Sequence, residues 1–396
     1  MRSPPDGLPE TYDRMTRTMA IPTAADKRTK IMTTSSAVTA MKSTLAVAML
    51  AVSVTGLAAS SHGADFDTIK AAAAKEGTIV VWHNTPNQET TNALTAVFNK
   101  KFGLNIKVQR VPVSGSDMTS RMITEKRGGR FTADVFIAND RHLPVLVKNN
   151  LVEKVEWVEV FAGPDKIDAA LMASAANNIV SEYIGYGLEF RHDVFGFAYN
   201  TKMLTEENAP KRWEELADPK WRSKVAIDAG LSPLSRLVPV LGREGALDLA
   251  KKLHANRPIY ADGQPSVAAK VVSGEAPVAA LSLSTALDEM QKGAPLALIY
   301  PEPQALISQL VLYVSKNAPH PNLAKLWAAW VTSEGMNNQA MIDEGAIRAW
   351  PGSPGPFGAY YAQHNLKVRR ADTIAELEEA NNIRKDLDAV ATGRLR

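Results

Sequence analysis

The 396-residue chain contains no cysteine. That absence excludes disulfide cross-links, a thiolate nucleophile and an acylated cysteine as a membrane tether. Stability must come from core burial, which a chain of this length can supply, and the length favours two compact units over one. Aromatic residues make up 7% and charged residues 22% of the chain, against 45% hydrophobic residues, the balance of an ordinary globular protein with a full core. Beyond residue 60 every apolar run is short or broken by charge, so none reads as a membrane span. The patterns G-x-x-x-x-G-K-[S/T], H-E-x-x-H and G-x-S-x-G are missing too, and His142, His192 and His254 stand without acidic partners at motif spacing.

One long uncharged run is present. Met41-Lys42 opens it, Ser43 to Ala59 carries no charge, and small residues follow through Ala64. A basic start, a short apolar stretch and a small-residue exit describe a cleaved secretory signal peptide over 41–64; a buried helix is the plainer reading. Residues 1–40 are basic and aperiodic, so they read either as a long basic extension or as a segment upstream of a true start at Met41 or Met32. Residues 1–64 hold seven Lys/Arg and four Asp/Glu, and subtracting them from the totals of 45 and 42 leaves 38 of each. The remaining chain has no basic surplus, which removes the main support for a nucleic-acid partner.

From Asp65 onward strand and helix signals alternate. Thr78–Trp82 reads as a buried strand, Leu94, Val97, Phe98 and Phe102 share a helical face, and Ile106–Val111 reads as a second strand. A helix carrying Met118 and Met122 and a third strand at Asp134–Ala138 complete a βαβαβ start, the mark of a parallel α/β sheet. Val194–Tyr199, Lys224–Ile227, Pro277–Leu283 and Ala297–Tyr300 read as further strands. Stripes at Ala246–Leu253 and at Leu323, Leu326, Trp327 and Trp330 read as core-facing helices.

Several runs along this pattern resemble one family. They are Gly77-Thr78-Ile79-Val80-Val81, Thr132-Ala133-Asp134-Val135, Phe197-Ala198-Tyr199-Asn200-Thr201, the W-x-x-L-x-D-P-K-W run from Trp213 to Trp221, and Gly274 to Ala280. In this order and spacing they resemble the extracellular solute-binding proteins of ABC importers, in the branch that includes ferric-iron-binding proteins. The resemblance implies a two-lobed, type II periplasmic-binding-protein-like α/β fold, its lobes joined by crossing segments around a central cleft. Lobe 1 would be 65–198 with 301–396, and lobe 2 would be 199–300. It further implies a freely diffusing periplasmic monomer, a small-molecule ligand and an ABC-type inner-membrane permease as partners, no cofactor and no enzymatic activity. A ferric-iron-binding protein of the same family and a periplasmic enzyme on the same fold are the alternatives.

Ligand contacts in such a cleft come from strand-to-helix junctions, where backbone N–H groups converge. The candidates are His83, Asn84 and Thr85; Ser114, Gly115 and Ser116; Asn139 and Asp140; Ser232 and Ser235; and Ser282, Ser284 and Thr285. Ser and Asn at such positions also serve as plain helix caps. Ferric iron needs anionic oxygen donors. Alignment on the resemblance puts Asn139 where the family's carboxylate would be, and Ser284 and Thr285 where its paired tyrosines would be, which argues against metal. Neutral donors suit an oxyanion instead, a carboxylate, phosphate ester or phosphonate, with Arg121 or Arg191 as counter-charge. Arg121 precedes Glu125 by four residues and could equally form a helix-surface pair, and Arg236 has a similar plain reading.

The leader gives the first testable expectation. Intact-mass measurement of exported protein should find an amino terminus between Ala59 and Ala64; a cytosolic full-length chain retaining Met41 would refute the signal-peptide reading.

Overall fold

The computed structural model describes residues 65–83, 85–113, 115–301, 305–344 and 368–395. The signal-peptide segment lies outside them, as do Asn84 and Ser114. Strands and the longer helices follow in the order α1 (Phe66–Glu76), β1 (Thr78–Trp82), α2 (Gln88–Phe102), β2 (Lys107–Val111), α3 (Gly115–Arg127), β3 (Val135–Asn139), α4 (Ala169–Asn177) and β4 (Leu188–Asn200). Then come β5 (Val225–Asp228), α5 (Val238–Ala255), β6 (Ile259–Ala261), α6 (Gly263–Val272), β7 (Val278–Ser282), α7 (Leu283–Gln291) and β8 (Leu296–Ile299). The order closes with β9 (Ala305–Val314), α8 (Pro321–Val331), β10 (Val368–Arg369) and α9 (Ile374–Ala391). Among the described residues no helix is long and apolar enough to cross a membrane.

Local chemistry sets the ends of these elements. The Asn87 side chain accepts from Thr90 N at 2.9 Å to start α2, and Gly103, at φ 66°, ends it in the left-handed region that glycine tolerates best. The strands form one curled sheet in the order β2-β1-β3-β9-β4-β7-β5-β6, with β10 beside β9 and β8 beside β4. β1 pairs in parallel with β2 and β3, and β5 pairs in parallel with β6 and β7. Between these parallel sets run two long antiparallel strands. β4 pairs with β9 from Leu188 to Phe195 and with β7 from Phe195 to Tyr199, so one strand serves both halves.

Period-two alternation then divides each half into two cores. In the first half Val81, Val135 and Ile137 face one core while Trp82, Phe136 and Ala138 face the other. In the second half Phe197, Ile227 and Ala280 oppose Ala198, Ala226 and Ala279. Both faces are buried, as a helix-covered parallel sheet requires. At Gly196 on β4 a Cβ would sit 2.6 Å from the Ile299 carbonyl oxygen and 2.9 Å from a Leu283 methyl, so close strand and helix approach demands glycine there.

The helix α9 joins both sets. Leu377 lies in a core of the first half, whereas Ile383, Leu387 and Val390 lie in a core of the second. Its packing is therefore shared between the two halves, whereas the resemblance implies a place for residues 301–396 with lobe 1.

The ring cluster that anchors α2 to α8 supplies a stability test. Phe98 is fully buried, with ring centroids 5.1 Å from Trp327 and 5.4 Å from Trp330. Phe98→Ala should cost about 3–5 kcal/mol in denaturant unfolding; a loss under about 1 kcal/mol would show that the cluster repacks at little cost.

Candidate functional site

The sheet order brings the carboxyl ends of β3 and β5 to either side of the β4–β9 pair, the position where open α/β sheets place ligands. A cavity of about 260 Å³ sits there, lined from the first half by Asn139 and Arg141 and from the second by Asp228, Ser232, Arg236 and Gln264. Asp193 and Phe195 of β4, Gly263, Ser308 of β9 and Arg384 of α9 complete it.

Asn139 Nδ2 donates to Ser308 Oγ at 2.9 Å, tying β3 to β9 beside the cavity. After β5 the chain turns at Leu231, a fully buried residue at φ 49°. A left-handed non-glycine residue costs about 1–2 kcal/mol. The Asp228 carboxylate offsets this by accepting from Gly230 N at 3.2 Å, Ser232 N at 3.1 Å and Ser232 Oγ at 2.8 Å. That turn delivers Arg236 to the cavity. Across it, the buried Asp140 carboxylate accepts from Arg141 N at 2.8 Å, and Arg236 Nη1 lies 3.5 Å from the same oxygen. Gln264 Oε1 accepts from Ser282 N at 2.7 Å, so the donor end of this amide is what remains for a ligand.

Three half-buried guanidiniums thus share one small cavity. Burial, then the nearby Arg384 and Arg236, push Arg141 down to about 10, against the opposing pull of Asp140. Arg384 is lowered by burial and by Arg236, with Asp228 opposing. His142, whose Nδ1 lies 3.1 Å from Thr119 Oγ1, is pushed down to about 4 by burial and then by the same three arginines, so it is neutral at pH 7. The site therefore holds mutual repulsion that a bound anion would relieve.

A second cavity of about 500 Å³ shares Asp193 with the first. It is lined by Thr85, Arg191, Asp288, Lys292, Leu310 and Glu344, among others. Buried Arg191 donates through Nη1 to Thr85 Oγ1 at 2.8 Å, and Thr85 Oγ1 donates to Glu344 Oε1 at 3.0 Å. Burial raises the Asp193 carboxyl above its ordinary value, with Arg191, Arg236 and His192 opposing. A larger groove of about 600 Å³ is lined by the 214–218 turn and α5 within the second half, where acidic side chains outnumber the single Lys252.

The sequence candidates separate on these surfaces. Asn139 and Ser232 line the arginine cavity, and Thr85 lines its neighbour. Asp140 holds two arginines behind the wall, and Ser235 Oγ donates to the Ser232 carbonyl at 2.8 Å. Ser282 and Ser284 bond each other at 2.9 Å, and neither they nor Thr285 are among the lining residues of any of the three cavities. The backbones of Gly115 and Ser116 open α3. Arg121 makes the helix-surface pair, 3.0 Å from Glu125, and lies over the Trp82 ring. Arg191 and Arg236 do reach the cavities. Among the cavity-lining residues that the sequence does not single out are Arg141, Gln264 and Arg384. Arg141 directly follows the junction Asn139-Asp140 and was within reach of the junction argument; Arg384 is distant in sequence and gave no local signal. Among the described residues no three His, Asp or Glu side chains gather as metal ligands would.

His83 is almost fully buried, and burial followed by Arg110 pushes it down to about 3 from 6.5, against the opposing pull of a hydrogen bond with the Thr85 backbone. The unfolded chain therefore takes up a proton that the folded chain refuses. Stability should be full above pH 6.5 and fall as pH drops from there toward about 3. His83→Gln should flatten that fall in denaturant titrations between pH 4 and 6.5; an unchanged slope would place the acid sensitivity elsewhere.

No curated protein sequence matches the chain. Among solved structures the fold is similar to iron-bound HitA from Pseudomonas aeruginosa, at 20% identity and TM-score 0.60 over 78% of this chain and 99% of that one. It is also similar to AfuA from Actinobacillus pleuropneumoniae with fructose-6-phosphate bound, at 19% identity and TM-score 0.61 over 79% and 96%. A third likeness is to Trichodesmium IdiA (FutA) with iron and citrate, at 18% identity and TM-score 0.61 over 80% and 99%. These likenesses establish the two-lobed type II periplasmic-binding-protein fold. The model of the bacterial extracellular solute-binding protein family matches residues 93–355, well over half the chain, and the chain belongs to that family.

Proposed function

We propose that the protein is the periplasmic solute-binding component of an ABC importer, capturing a small organic anion between its lobes and delivering it to the membrane permease. One observation carries the anion assignment: Arg141, Arg236 and Arg384 line a single cavity reached from both halves of the sheet. Planar guanidiniums suit the oxygens of a carboxylate, phosphate ester or phosphonate, and the Ser232 hydroxyl and Gln264 amide add neutral donors. Three cations around one cavity oppose direct capture of a trivalent metal ion.

The adjoining cavity constrains the rest of the ligand. Asp193, Asp288, Asp343 and Glu344 outnumber Arg191 and Lys292 there. A second strongly anionic group would meet net negative charge, so the remainder of the ligand carries hydroxyl or ammonium donors. Family membership supports export and a binding role in place of catalysis. The signal-peptide pattern at 41–64 supports the same compartment.

Native mass spectrometry of protein purified without added ligand, with release and identification of what co-purifies, tests this reading. The released molecule should carry an acidic oxygen group. Arg236→Ala should then weaken its binding by about ten- to a hundredfold, the worth of one charge-assisted hydrogen bond. A neutral or purely cationic ligand, turnover of the bound molecule, or unchanged affinity in both Arg236→Ala and Arg141→Ala would overturn it.

A further inference from the structure

The helix α9 lies beyond residues 93–355, the segment that matches the family. Its apolar stripe has an unusual division of labour. Leu377 is buried with Val311 and Tyr313 in a core of the first half, while Ile383, Leu387 and Val390 are buried with Phe197 and Ile227 in a core of the second. Polar contacts repeat the division. Asn381 Nδ2 donates to the Arg141 carbonyl at 2.9 Å, gripping the first half. Arg243 of α5 pairs with Glu379 at 2.6 Å and with Asp386, gripping the second.

Between those grips, Arg384 lines the arginine cavity. The same helix therefore holds the Arg141 backbone through Asn381 and sets a second guanidinium beside it from the next turn. Among the described residues neither Arg141 nor Arg384 has a carboxylate within ion-pair distance, whereas Arg236 has Asp140 at 3.5 Å.

We propose that α9 is a ligand-responsive brace and that Arg384 is a binding residue of the anion site. A bound oxyanion engages Arg141 from the first half, Arg236 from the second and Arg384 from the brace. It thereby cancels their repulsion and fastens the helix across the cleft. This rests on reading the cavity as an anion site, and deepens it by making the last helix part of that site. Asp140, Asp193, Asp228 and the neutral His142 are the other ionisable groups facing the cluster, and none of them belongs to α9.

The test uses the mature full-length protein with inorganic phosphate as probe and chloride at matched ionic strength as control. Hydrogen exchange over residues 374–391, isothermal titration and thermal unfolding are followed for wild type, Arg384→Met, Arg384→Lys and Arg236→Ala. Phosphate should slow exchange across α9 in wild type several-fold and raise its unfolding temperature. Without phosphate, Arg384→Met should unfold at or above the wild-type temperature, because it keeps the side-chain stem and removes a repelling charge. It should bind phosphate about tenfold more weakly and lose the protection of α9, with Arg384→Lys between the two. Phosphate binding that weakens in Arg236→Ala but not in Arg384→Met, or that leaves α9 exchange unchanged, would overturn the brace while the anion site stands. A wild type indifferent to phosphate, together with a co-purified ligand that is not anionic, would overturn the site itself and the brace with it. An Arg384→Met protein much less stable without phosphate would show a structural role and overturn the binding role.

Discussion

The antiparallel pairing of β4 with β9 is the interaction on which the molecule depends. Every connection through the sheet from the first half to the second passes along these strands, since β3 meets β9 and β7 meets β4. The pairing slips register between Glu189 and Arg191, and a largely buried polar cluster sits beside that irregularity. His192 Nε2 lies 2.9 Å from Glu189 Oε1, Asn178 donates to the other carboxylate oxygen, and Gln309 of β9 donates to the Asn178 carbonyl at 2.6 Å. Removing one member would leave a charge or donor stranded in the core, which costs more than the bond itself contributes. Beyond this irregularity, β4 brings Asp193 and Phe195 into the cavity wall, so the joint and the site share a strand.

The cavity reverses the logic of that buried group. Around Glu189 each carboxylate oxygen meets a neighbour of the fold, His192 on one side and Asn178 on the other; around Arg141, Arg236 and Arg384 the fold leaves positive charge incompletely matched. Asp140 and Asp228 are present but occupied, the first with Arg236 and the Arg141 amide, the second with the 230–232 turn. Arginine suits such a place better than lysine, because guanidinium stays charged even when burial and like charges depress it. The Arg141 value of about 10 still lies well above neutral pH.

Much of the scaffold was legible because burial leaves a periodic trace. The sequence pattern marks Thr78–Trp82 with its observed limits, and marks the strands at 107–111, 135–139, 225–228 and 278–282 within a residue or two. β9 was not read. Its Ala305–Val314 run lies in the middle of the sheet between two partner strands, and a strand buried on both faces loses the alternation that announces it. The helix α9 carries a visible stripe from Leu377 to Val390, but a stripe does not say which surface covers it. The site followed the same division. Asn139, Ser232 and Thr85 sit at strand ends that a junction argument can find. The arginines come from three distant segments and meet only in the folded chain, and Ser282 and Ser284 satisfy each other, which spacing cannot reveal.

The placement of β9 also governs the order in which the chain can become ordered. The strands of the second half fall between Phe195 and Ile299, so its pairings close over about a hundred residues of contiguous chain. The first half has no such independence. β3, paired on one side with β1, gains its other neighbour only when Val135 meets Val314, a loop that spans the whole second half and is entropically costly to close. A nascent chain therefore holds β1–β3 as an open parallel edge until residue 314 has emerged, and such edges invite wrong pairing. The second half can act as its own template during that wait, and the first half is the part that a chaperone would have to shield.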